Sequence, residues 1–264
     1  MNLSLNEGDG KMKTKLFRVA VCIVILCCIS VGVIYALYDN GYFGCTFEVS
    51  EYGSLEVKGK TRGHFVFPNE VDGKQINELT PGCLRKQKGI TAVTVPDGIT
   101  EMDLSIILCE NVRELYFGKD LNNIVYPMIG SRNLEKIVVD ANNPYYFVDN
   151  GCLIDRRNNH LILAAKNARI PEYVTWISYF SFGHHHLTED LIIPDGVKEL
   201  DEYAFAGLTG NVNVYVPEST QLFGSSFSGC SKSITFWFGN KDSKVGNWMA
   251  EQGYTVFFGK KPAE

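Results

Sequence analysis

The sequence has no long block of like charge and no low-complexity tract, and its 25 Lys and Arg are set against 30 Asp and Glu. A net charge of −5 argues against a broad nucleic-acid footprint, which needs Lys and Arg clustered on one face. No CxxC pair occurs, so a zinc ribbon or a thioredoxin-like centre is unsupported. The P-loop, GxGxxG, HExxH and EF-hand patterns are missing as well. Gly224-Ser225-Ser226-Phe227-Ser228 approaches a nucleophile elbow, but it falls in a Ser-Gly-Cys turn of a repeat. Acidic pairs such as Asp201/Glu202 are scattered and read as a solvated face. We expect no enzyme, no cofactor and no bound metal.

Hydrophobic residues make up 45% of the chain and aromatics 12%, enough to bury a sizeable core. Val19 to Leu37 carries no charge over 19 residues. At ~1.5 Å per residue a helix of that length spans ~28 Å, close to a bilayer core. Lys11, Lys13, Lys15 and Arg18 precede it, and the first charge after it is Asp39. This asymmetry predicts a single-pass anchor with a cytoplasmic N-terminus and an extracytoplasmic remainder. The alternative is a signal peptide cleaved near Ile34-Tyr35-Ala36, although such peptides have apolar regions of only ~7–15 residues.

Three of the eight cysteines lie inside the apolar run. The other five, Cys45, Cys83, Cys109, Cys152 and Cys230, are odd in number and widely scattered, unlike a disulfide framework.

The strongest signal is a repeat. Val93-Thr94-Val95-Pro96 has an apolar–x–apolar core followed by a breaker. The pattern returns at Leu115–Gly118, Ile137–Asp140, Ala168–Pro171, Leu191–Pro194, Val214–Pro217 and Phe236–Gly239, with breakers 22, 22, 31, 23, 23 and 22 residues apart. Phe65-Val66-Phe67-Pro68 is an earlier copy. Apolar pairs follow three and six residues after the breaker: Ile99/Met102, Leu121/Ile124, Val174/Ile177 and Val197/Leu200. Eleven residues after it come Ile107, Ile129, Phe182 and Phe205, with Phe227 one residue early.

Each apolar–x–apolar piece predicts a strand with two inward side chains, ended by a residue that breaks the ladder. The rest of the repeat returns as a turn or short second strand that buries its own apolar pair. No single copy can cover its apolar face, so the copies must stack into a solenoid, and the period lies in the leucine-rich-repeat range of roughly 20–29. Between Asp140 and Pro171 the Asn150-Gly151 turn predicts a hairpin that projects from the stack without breaking it. Cys109 and Cys230 lie in equivalent positions five rungs apart, ~24 Å at ~4.8 Å per rung, too far for a disulfide. They read as small buried residues.

The fragments VPDGITEM, IPDGVKELDEYAFAGL and VPESTQLFGSSFSGC resemble the BspA-type leucine-rich repeats of bacterial and protist surface proteins. FVFPNEVDGKQINEL resembles that family's first repeat, LEKIVVDANNPYYFVDNGCLI its internal hairpin, and DSKVGNWMAEQGYTVFF its C-terminal cap of a short helix and a strand. The resemblance covers roughly residues 46–258. Gly118, Asp140 and Gly239 depart from it where proline is usual. It implies surface display and binding and identifies no ligand.

His184-His185-His186 lies in a repeat-to-repeat turn, and neighbours in an extended chain point to opposite faces, so the run reads as a solvated loop and not a chelate. The x residues should line the outer face in the order Val66, Thr94, Tyr116, Val138, Arg169, Ile192, Tyr215 and Trp237. Six of these eight are apolar or aromatic, more than a face that meets only water would carry. Tyr116, Val138, Arg169, Ile192, Tyr215 and Trp237 form the candidate partner-binding face.

The expected fold is a mainly β, BspA-type leucine-rich-repeat solenoid ectodomain behind one transmembrane helix. Its parts are a cytoplasmic tail (1–18), an anchor (19–38), a juxtamembrane segment with an N-terminal cap hairpin (39–60), the solenoid (61–239, with a hairpin near 144–165) and a C-terminal cap (240–264). The expected role is adhesion or recognition of an extracellular protein or glycan partner. The alternative is a structural or assembly component of the cell envelope, with an enzyme a distant third.

Overall fold

The computed structural model describes residues 45–49, 55–79, 83–84, 87–103, 111–125 and 132–259. The apolar run at 19–37, Ile107, Cys109 and Ile129 lie outside the described residues. Among the described residues no helix is long and apolar enough to cross a membrane.

The first described element is an antiparallel hairpin, Cys45–Val49 against Leu55–Gly59. A parallel ladder then runs through Arg62–Val66, Gly89–Val95, Glu114–Phe117 and Lys136–Val139. A second parallel ladder joins Leu191–Ile192, Asn213–Val216, Thr235–Phe238 and Thr255–Phe258. The register matches equivalent repeat positions, for example Thr94 with Tyr116 with Val138. The strands alternate as the pleat requires, with Val93, Val95, Leu115, Phe117, Val214 and Val216 buried.

The return path of each repeat forms short back strands, such as Glu78–Leu79, Glu101–Asp103 and Asn123–Val125 in one sheet. The expected apolar pairs sit beneath them, with Ile99, Met102, Val174, Ile177, Val197 and Leu200 buried. In the C-terminal half, Phe182, Phe205 and Phe227 stack at centroid distances of 4.9 and 5.4 Å, an aromatic spine through successive rungs.

Where glycine or aspartate replaces the breaker proline, the backbone gains a bond. Gly118 N donates to Val95 O, Asp140 N to Phe117 O and Gly239 N to Val216 O, each joining adjacent rungs. Proline has no N–H to offer there. Gly118 also has no room for a side chain, since a Cβ would come within 2.7 Å of Asp97 N.

The hairpin does not project. Tyr146–Asp149, Cys152–Asp155 and His160–Ala164 join the back strands of the C-terminal half in one six-stranded sheet. All four residues of Cys152–Asp155 are buried. Leu153 and Leu163 pack into the core of the N-terminal half, while Cys152, Ile154 and Leu161 pack into that of the C-terminal half. An apolar side chain on both faces of a strand demands cover on both, and insertion between two halves supplies it. Burial alone would raise the Asp155 carboxyl, but the Arg157 guanidinium, 2.6 Å away, holds it below the ordinary carboxylate range.

The coil ends in a helix, Lys244–Glu251, capped by Ser243, whose side chain accepts from Gly246 N at 3.1 Å. Val245 and Met249 close the last rung, and Gly246 lets the helix approach Phe238, where a Cβ would sit 2.9 Å from the ring.

Candidate binding face

The pleat that turns Val214, Val216, Phe236 and Phe238 inward turns Tyr215 and Trp237 outward. Parallel pairing aligns Ile192 with Tyr215, Tyr215 with Trp237, and Trp237 with Phe257. The Tyr215 and Trp237 rings stack at 6.1 Å with 21° between planes, and those of Trp237 and Phe257 at 4.5 Å with 24°. Ile192 and Phe257 at the two ends are 48% and 46% exposed. The result is one continuous apolar ridge along four rungs.

The ridge is flanked by polar groups. Asn213 accepts from Trp237 Nε1 at 3.3 Å and donates to Asp190, which also caps the Asn213 backbone N–H at 2.8 Å. On the other flank a cleft of about 720 Å³ runs between the ridge and the strand-ending prolines, with Glu172, Asp195 and Glu218 in its lining.

The other expected members of the row are placed differently. Tyr116 and Val138 are neighbours in the N-terminal ladder, both half-buried. The Tyr116 ring lies 5.6 Å from that of His64 and 5.2 Å from Lys136 Nζ, and its hydroxyl donates to Glu114. Arg169 belongs to neither ladder. The copy at 168–171 forms no strand, its backbone N–H bonding instead to Asn150 O of the hairpin, and the side chain pairs with Glu189 at 3.3 Å. The expected eight-rung row is therefore two patches, interrupted where the hairpin replaces the regular contact.

Phe257 was absent from the expected face. Its signal was in the sequence, since Val256-Phe257-Phe258-Gly259 repeats the apolar–x–apolar–breaker pattern, but a helix stands before it and the spacing drops to 20 residues.

The histidine run is not uniformly solvated. His184 and His186 are exposed, whereas His185 is 3% exposed, edge-on to Phe182 at 5.8 Å, and its Nδ1 has no hydrogen-bond partner. Burial, reinforced by the adjacent His184, pushes its pKa down to about 4 and keeps the ring neutral. The turn around it bonds to its neighbours rung by rung, which draws the middle histidine into the core.

Other candidate groups are occupied structurally. Ser226 is buried and its hydroxyl donates to Asp201 O at 3.2 Å while accepting from Phe223 N. Burial pushes the Cys152 thiol up to about 12 and that of Cys230 to about 11, far from a reactive thiolate. Among the described residues no three His, Cys, Asp or Glu side chains are grouped to hold a metal ion.

No curated protein matches the chain. Among solved structures, it is similar to a leucine-rich repeat protein from Eubacterium ventriosum, with 17% identity over 76% of this chain and 72% of that one, and a TM-score of 0.46. A leucine rich cell surface protein from Faecalibacterium prausnitzii shares 11% identity over 78% of this chain and 95% of its own, with a TM-score of 0.22. The leucine rich repeat protein of T. pallidum shares 13% over 83% and 97%, with a TM-score of 0.25. The family model of the BspA type leucine rich repeat region matches in six copies over residues 67–151 and 162–252, more than half of the chain, and the chain belongs to that family.

Proposed function

We propose that this protein recognises a protein partner at the cell surface through the ridge Ile192–Tyr215–Trp237–Phe257. The observation that carries the reading is the stack of three outward rings beside Ile192, half-buried at Tyr215 and Trp237 and exposed at its two ends, Ile192 and Phe257. The rings stand on the sheet like books on a shelf, so their faces are spent on one another and their edges meet the solvent. A sugar stacks on an aromatic face, whereas a ridge of edges suits an apolar groove on another protein. The acidic lining of the adjacent cleft favours a basic rim on that partner. The charge-free run at Val19–Leu37 supports display from a membrane, with the repeats outside.

Cells displaying the full chain provide the test, with the double variant Tyr215→Ala/Trp237→Ala compared with wild type for attachment to partner cells. Loss of attachment with the melting temperature unchanged supports the ridge. Attachment that persists in a variant whose melt is also unchanged moves the contact elsewhere.

A further inference from the structure

The turns on another side of the coil enclose a second cleft of about 580 Å³ that shares no lining residue with the one beside the ridge. Arg132, Lys166, His184 and His186 line it together with Phe180 and Tyr203, and among the described residues no carboxylate does. None of the ion pairs among the described residues uses Arg132 or Lys166.

The backbone at this cleft is strained in a patterned way. The position two residues past each spine phenylalanine is left-handed in three successive copies, at φ 62, 67 and 68°. Two copies place glycine there, Gly207 and Gly229, as the conformation favours. The third places His184. Its ring lies across Gly207, where a Cβ would meet Nδ1 at 2.3 Å, and stacks on Phe180 at 6.0 Å. Phe180 and Tyr203 are themselves left-handed, at φ 53 and 58°, and stack at 5.4 Å with 4° between planes. Three side chains that the backbone disfavours thus converge on one cation-lined cleft.

We infer that this cleft is a binding site for an acidic saccharide, one bearing a carboxylate or a sulfate ester. The guanidinium and ammonium groups supply charge, the two imidazoles supply N–H donors, and the edges of the stacked Phe180 and Tyr203 rings give the cleft an apolar border. A bare inorganic anion would fill only a small part of the volume, which matches a ligand of sugar size. The inference is independent of the ridge and of its partner.

Calorimetric titration of the full chain in detergent micelles tests it, using a sulfated disaccharide, a uronate disaccharide, the neutral disaccharide of the same ring type and inorganic sulfate. Binding of either acidic sugar, or both, with the neutral sugar and inorganic sulfate at least tenfold weaker, is expected. Equal binding of the neutral sugar, or of inorganic sulfate, overturns the assignment. The variant Arg132→Gln/Lys166→Gln alters only exposed side chains and should weaken the acidic sugar at least tenfold. His184→Gly should weaken it as well while leaving the melting temperature unchanged or raised, because it restores the residue used by the other two copies. Undiminished affinity in both variants overturns the site. A melt lowered by His184→Gly, with binding retained, would show that the imidazole is kept for packing alone.

Discussion

Two ladders of one coil, built from the same repeat, use their outward side chains in opposite ways. In the N-terminal ladder Tyr116 is held by its own molecule, between His64 and Lys136, with its hydroxyl on Glu114. His64 is in turn bonded to Thr94 at 2.7 Å. In the C-terminal ladder Tyr215, Trp237 and Phe257 stack on each other beside the exposed Ile192. The first arrangement satisfies polar groups across rungs and leaves little apolar surface unaccounted for. The second stacks aromatic rings across rungs between two exposed ends, Ile192 and Phe257. An outward aromatic residue in a repeat is thus no sign of a binding face by itself; what stands on the neighbouring rungs decides.

The inner sides differ in step with the outer ones. The C-terminal core contains the Phe182–Phe205–Phe227 spine, and the hairpin separates it from the core of the N-terminal half. Phe205→Ala should therefore have the largest effect, roughly 3–5 kcal/mol in denaturant melts, as for a fully buried aromatic truncated to a cavity. Hydrogen exchange should accelerate first in rungs 174–238 and later in rungs 89–139, since rungs couple through neighbours. Uniform acceleration would show that the hairpin welds the halves into one unit and would break the comparison.

Next comes pH. His185 is buried neutral in the C-terminal half, with a folded pKa of about 4 against an ordinary 6.5. The unfolded chain binds a proton there that the folded chain refuses, so stability is full above pH 6.5 and declines as the pH falls from there toward 4. The loss should reach about 3 kcal/mol at the lower end. His185→Phe should flatten that slope in melts between pH 7 and 4. A slope unchanged by the substitution would assign it to carboxylates in both halves.

The double variant Tyr215→Ala/Trp237→Ala should weaken partner binding by at least ~2 kcal/mol, the scale of aromatic hot spots, with little change in thermal stability. Tyr116→Ala should do the reverse. It should lower stability by about 1 kcal/mol, through lost cation–π and hydrogen-bond contacts at a half-exposed site, and leave binding intact. If both variants lost binding alike, the two ladders would form one face and the distinction between them would fail.

The columns of the repeat were legible because each is a local rule applied many times. Ile193, Val197, Leu200 and Phe205 are buried as their spacing from the breaker predicts. The hairpin was legible as a turn, at Asn150-Gly151, but not as a divider of two cores. Alternating burial of Leu153 and Ile154 into different clusters depends on what lies on either side of the strand, and no local pattern records that. Arg169 kept the sequence pattern of a strand and lost the strand, because the hairpin took the backbone partner that the ladder would have used. Of the candidate face, Ile192, Tyr215 and Trp237 were legible from the period. Phe257 was hidden behind the cap helix, and the turn histidines were misjudged as one solvated group.

What the sequence by itself determined is the direction of each side chain within its rung. A strand alternates faces every residue and a breaker ends it, so in or out follows from short-range geometry repeated every 22 or 23 residues. What only the tertiary structure decided is which rungs become neighbours and what each outward side chain then touches. Those are contacts between residues about one period or more apart, fixed by where the hairpin and the cap enter the stack. For that reason one tyrosine of the row packs between His64 and Lys136 while another joins a stack of aromatic rings.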